Sequence, residues 1–119
     1  MATISEIVVV LVALLHGCFL VLEMFLWDKP AGLKAFGQSK ERAAATGVLA
    51  ANQGLYNGFI AAGLLLGVFH GAAGYGFKVY FLSCVVVAGI YGAATASRGI
   101  LYVQALPGLL GLLLVLLAR

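Results

Sequence analysis

Residues 7–27 read IVVVLVALLHGCFLVLEMFLW, an apolar run broken only by the imidazole of His16 and the carboxylate of Glu23. A helix crosses a bilayer with about 20 mostly apolar residues, and this stretch supplies them. Asp28-Lys29-Pro30 then stops it, because proline disfavours helical backbone at the residue before it. Three more runs of similar character follow, over residues 46–69, 77–97 and 100–118. The connector 31–45 carries Lys34, Lys40, Glu41 and Arg42, and a short amphipathic turn over Leu33 and Phe36 is expected to lie at the membrane interface. His70 and the following Gly71-Ala72-Ala73-Gly74-Tyr75-Gly76 make the second turn, and Arg98-Gly99 the third. Pro107 interrupts the last run and predicts a kink there. The expected fold is all-α, a polytopic membrane four-helix bundle forming a single membrane domain over residues 1–119.

Composition places the chain in the same class. Of its 119 residues 64% are apolar and 9% charged, with mean hydropathy +1.13; soluble domains hold about 45–50% apolar and about 25% charged residues. The amino-terminal Met-Ala-Thr-Ile-Ser-Glu lacks a positive leader, and the first run exceeds a signal core of about 7–15 residues, so a retained helix is expected. Five of the seven basic residues (Lys29, Lys34, Lys40, Arg42 and Arg98) fall on one side of the bilayer, and Lys78 and Arg119 on the other. The positive-inside rule makes the first and third connections cytoplasmic and both termini external. The pI near 9.1 arises from these flanks and gives no reason to expect nucleic acid as a partner. Cys18 and Cys84 sit in different runs outside any Cys-x-x-Cys or Cys/His pattern, so no disulfide, metal or cofactor is assigned.

Helices in lipid associate where small residues let backbones approach. Ala50, Gly54, Gly58 and Ala62 recur on the second run and Ala88, Gly92 and Ala96 on the third, which predicts the tightest contact between those two helices. Gly63, Gly67 and Gly71 form a second stripe whose partner is another helix or another subunit.

Polar side chains carry the functional signal, since an unpaired amide or carboxylate in hydrocarbon costs several kcal/mol. On the first run His16, Glu23 and Trp27 fall within an arc of about 40°. Asn52, Gln53, Tyr56 and Asn57 cover about 140° of the second, leaving Leu55, Phe59 and Leu66 for lipid. Tyr91, Thr95 and Arg98 align on the third, and Gln104 precedes Pro107 on the fourth. Counted at 1.5 Å per residue, Glu23, Asn52, Gln53, Tyr91, Thr95 and Gln104 lie roughly 3–10 Å below the cytoplasmic end, with His16 and Asn57 as a floor at about 15–17 Å. Beyond them the helices are nearly all aliphatic, which argues against a simple pore.

Each residue also has a structural reading. Glu23 pairs with Arg98 or accepts amide bonds, Arg98 snorkels from a helix end, and the asparagines and Gln53 act as interhelical glue worth about 0.6 kcal/mol per bond. A lone His16 on an apolar face is a packing residue, and Trp27 belongs to an aromatic belt.

Glu23-Met24-Phe25-Leu26-Trp27 followed by Asn52-Gln53-Gly54-Leu55-Tyr56-Asn57-Gly58 resembles the signature of DUF1304, a family of small bacterial integral-membrane proteins of unknown function. The resemblance covers almost the whole chain. It implies a four-helix protein of the bacterial inner membrane and points to Glu23, Asn52, Gln53, Tyr56 and Asn57, without supplying a reaction.

The expected activity is therefore a polar intramembrane pocket, open toward the cytoplasmic side, that binds or converts a small lipophilic molecule by acid/base isomerisation or hydration. Glu23, His16 and Tyr56 are the candidate catalytic groups. Trp27, Asn52, Gln53, Asn57, Tyr91, Thr95, Arg98 and Gln104 are the candidate ligand-binding groups. Expected partners are membrane lipid and the lipophilic ligand, with self-association open. One alternative is a small proton-coupled multidrug-type transporter using Glu23; the five-to-two charge bias and the charged first connection argue against it. A second alternative is a structural or interaction subunit whose polar layer satisfies itself.

Overall fold

A computed structural model describes residues 2–119, and among these residues the fold is all-α. The first helix, α1, runs Ala2–Met24. It ends three residues before the apolar run does: Phe25 and Leu26 both donate backbone bonds to the Val21 carbonyl, and Lys29 donates to Leu26, so residues 25–29 form a turn. Lys29 is extended, the conformation favoured before proline, and Pro30 opens the short helix α2, Pro30–Phe36.

Gly37 closes α2 in the left-handed region at φ 59°, with Gly37 N–H bonded to Lys34 and Gln38 N–H to Leu33. This pattern satisfies two orphan carbonyls and requires a residue without a Cβ penalty. Ser39 then caps the next helix, its Oγ accepting the Arg42 N–H at 3.2 Å. Helix α3 runs Lys40–Phe69, so the charged connector is folded almost throughout and six of its residues extend α3 beyond the apolar run. After a 3₁₀ turn, Gly71–Gly74, come α4, Tyr75–Thr95, a π-helical turn, Leu101–Ala105, and α5, Leu106–Leu117. Pro107 lacks an N–H and crowds the carbonyl four residues back, and the wider π turn just before it accommodates both effects without ending the helix.

The chain forms two units. One comprises residues 2–13 and 62–119, the other residues 14–61. In the first, α4 packs on the π turn and α5 through glycine. A Cβ on Gly89 would lie 2.6 Å from the Ala105 backbone nitrogen, and one on Gly108 2.6 Å from a Val85 methyl. Leu82, Val85, Ala105 and Val115 form its core. The end of α3 joins the same unit, with Gly63 against the Phe81 ring and Gly67 against Lys78 and Gly74.

In the second unit α1 and α3 run antiparallel, and the contact is again made by small residues. A Cβ on Gly54 would meet Met24 at 2.6 Å, Glu23 at 3.1 Å and the Leu20 carbonyl at 3.2 Å, and one on Gly58 would meet Leu20 at 2.6 Å. The stripe expected to face the third run therefore serves the first one, and Gly63 with Gly67 makes the contact to α4. Both stripes are packing surfaces: the first takes a different partner from the one expected, and the second, whose partner the sequence left open, takes α4. A four-residue repeat marks where helices approach and carries no label for the neighbour.

Two helical stretches, Ala2–Met24 and Gly71–Thr95, are long and apolar enough to cross a membrane. Leu101–Leu117 is apolar but shorter. Helix α3 has ample length, and Asn52, Gln53, Asn57 and its charged first turn dilute its apolar character.

Candidate functional site

The site is built in the second unit from the end of α1, the 25–29 turn and the first half of α3. Glu23, on the last turn of α1, is only 8% exposed. Its Oε1 accepts a hydrogen bond from Asn57 Nδ2 at 2.5 Å. Gly54 makes this bond possible by letting the α3 backbone close on Glu23 and Leu20. Residue 54 then stands level with Glu23 and residue 57 about one turn further along. Helical side chains lean toward the amino terminus of their own helix, so on antiparallel helices Glu23 and Asn57 lean toward each other and span the offset of about 4.5 Å. Depth counted from Cα positions alone puts Asn57 on a lower floor beside His16; the lean of the two side chains brings its amide up to the carboxylate.

Trp27 lies off α1, in the turn. Its indole Nε1–H donates to Thr46 Oγ1 at 3.1 Å, while the Thr46 hydroxyl donates to the Arg42 carbonyl at 2.8 Å. Phe36 of α2 covers the indole with ring centroids 4.9 Å apart and planes at 50°. Gly32 reinforces the same junction, since any Cβ there would collide with the Leu26 carbonyl. Trp27 is thus pinned from α2 and α3. The same turn shapes a half-open cleft of about 220 Å³ whose lining includes Glu23, Trp27, Asp28, Ala43 and Gly47. Within this unit no hydrogen bond from the described residues reaches Glu23 Oε2.

The other expected site residues are distributed differently. His16 is fully buried and meets Phe19 edge-to-face, with ring centroids 5.3 Å apart. Asn52 is exposed and its amide donates to the Val48 carbonyl one turn back, at 2.9 Å. Gln53 and Tyr56 are exposed on the same side of α3, Tyr56 tilted against Phe59. Leu55, Phe59 and Leu66 are exposed, as the helical angle predicts. In the first unit Tyr91, Thr95 and Arg98 are exposed near the end of α4, and the Thr95 hydroxyl donates to the Tyr91 carbonyl at 2.7 Å. Gln104 is half-buried in the π turn. The residues joined by hydrogen bonds around the cleft are thus Glu23 with Asn57 and Trp27 with Thr46.

Thr46 and Asp28 were not among the expected residues. Their signal was present in part: Thr46 precedes Asn57 by close to three helical turns, which sets both on one face of α3. Reading the helix as starting at residue 46 hid this. The first unit also carries a shallow, mostly apolar trough along α4, lined by Phe77, Tyr80 and Phe81, which holds no converging polar groups.

An all-helical chain, with two stretches able to cross a membrane and a buried carboxylate–amide pair beside a cleft, is the class these observations define. The profile of the family described as Protein of unknown function (DUF1304) matches residues 10–116, and the chain belongs to this family. It is similar to the uncharacterized protein YpaA of Lactococcus lactis subsp. lactis (strain IL1403), with 29% identity over 106 residues that cover 87% of this chain and 89% of the relative. No solved structure matches the chain.

Proposed function

We propose that this is a polytopic inner-membrane protein whose Glu23–Asn57 cleft binds, and by acid/base chemistry converts, a small lipophilic molecule arriving from the cytoplasmic leaflet. Four spans, over residues 7–27, 46–69, 77–97 and 100–118, form the bundle in this reading, with the first and third connections cytoplasmic and both termini external. The burial pattern supports the membrane part. Leu11, Leu14, Phe59, Val87, Ile90 and Leu113 are exposed, whereas Ser5, His16 and Glu23 are buried, the reverse of what water selects.

The observation that carries the functional part is Glu23, a residue more than nine-tenths buried, its carboxylate held by one amide, that lines a cleft. A glue residue needs partners and no hollow; here a hollow adjoins the least solvated acid of the second unit. Asn57 fixes one carboxylate oxygen, leaving the other to exchange a proton or accept a donor from a ligand. Trp27 forms a wall that two helices hold in place. At about 220 Å³ the cleft is smaller than the roughly 300–1,000 Å³ of pockets that engulf drug-sized ligands, so it suits one end of an amphiphile.

The discriminating experiment compares wild type with Glu23→Gln in two assays: binding of lipophilic candidates to purified protein and proton-coupled uptake in proteoliposomes. Loss of binding in the variant is the expected result. Unchanged binding with loss of proton-coupled uptake would assign the small multidrug-type transporter instead.

A further inference from the structure

The cleft is lined by two carboxylates, Glu23 and Asp28, and an indole, with no lysine or arginine among its lining residues. This holds in the part of the chain richest in base, where Lys29, Lys34, Lys40 and Arg42 all lie within twenty residues of Glu23. An anionic head would be repelled by both acids. A neutral alcohol would engage one acceptor and leave the second charge uncompensated. An ammonium group offers three donors and a positive charge, matching the two lining acids, Glu23 and Asp28, and the aromatic ring of a pinned tryptophan. We propose that the ligand is a lipophilic amine whose protonated head enters this cleft while its alkyl chain stays in hydrocarbon. The proposal rests on the reading of the cleft as a ligand site and adds the chemistry of the head group. Glu23 acts as its counter-charge, held in position by Asn57, and Trp27 closes over it as a cation–π wall.

Trp27 is the only tryptophan in the chain and so reports directly on the cleft. Protein in zwitterionic phosphatidylcholine nanodiscs is titrated with decylamine, decanol and decanoate, which share a chain and differ in head, and Trp27 emission is followed. Decylamine is expected to give a saturable change with an affinity at least about tenfold above that of decanol, and decanoate none. Glu23→Gln is expected to remove most of the advantage of decylamine over decanol. Asp28→Asn, at an exposed position whose replacement leaves the helix contacts intact, weakens decylamine alone, and circular dichroism confirms that each variant is folded. Equal saturable binding of decanol and decylamine overturns the ammonium proposal and leaves the ligand site standing. Tightest binding by decanoate overturns the proposal in the same way. No saturable change with any of the three overturns both readings.

Discussion

Glu23, with 8% of the residue's surface exposed, has given up much of its hydration, and the Asn57 amide returns one hydrogen bond to the carboxylate at 2.5 Å. Removing that donor leaves a buried acceptor unmet, at a cost of about 1–3 kcal/mol. Asn57→Leu is accordingly expected to destabilise the protein by that amount in reversible unfolding from detergent, while Glu23→Leu combined with Asn57→Leu costs less than the two singles summed. Strict additivity would mean that the pair is not coupled. Trp27→Phe keeps an aromatic ring beside Phe36 and loses the bond to Thr46, so a loss of about 0.5–1.5 kcal/mol is expected in the same assay. Glu23, Asn57 and Trp27 were legible in the sequence because a polar group inside an apolar run has few innocent explanations. Thr46 and Asp28 were not, since at the edge of a run the same residue types look like ordinary boundary polarity. Asn52, Gln53 and Tyr56 share the helix and the residue chemistry of Asn57, but their angle on α3 sends them to the exposed side.

Helix contacts in this protein are set by which glycines face a backbone. Gly89 meets the Ala105 main chain, which has no side chain to swing aside, whereas Gly17 in the interior of α1 has nothing within 4 Å of its missing Cβ. Gly89→Ala is expected to cost about 1–3 kcal/mol through overpacking. Gly17→Ala should gain about 0.5–1 kcal/mol by restricting the unfolded chain and favouring helix. Opposite shifts in melting temperature check the pair; two losses would contradict the packing described for α1. Gly54→Val should separate α1 from α3 and abolish ligand-dependent change in Trp27 emission even where the variant remains helical. Sequence showed the four helical runs and the small-residue stripes. It did not show that α3 starts at Lys40, because the signal there is a serine cap and a glycine stop, and local hydrogen bonds rather than hydropathy fix that boundary. Nor did it show that α1 stops at Met24, where the apolar run continues through a turn.

The whole molecule is an all-α chain of the DUF1304 family with two stretches long and apolar enough to cross a membrane. In the proposed topology, with both termini external, alkaline phosphatase fused after Arg119 should be active and the same reporter fused after Arg42 silent; the reverse pattern would invert the topology. The hydropathy that announces a membrane protein is a summed property and survives any arrangement of the helices. A site is a matter of angle and lean, which composition does not carry. The most direct test of the ligand cleft is native mass spectrometry of protein released from its own membrane, wild type beside Glu23→Gln. One defined small-molecule adduct is expected on the wild type and is lost from the variant. An adduct of equal abundance on both, or none on either, would contradict the ligand cleft.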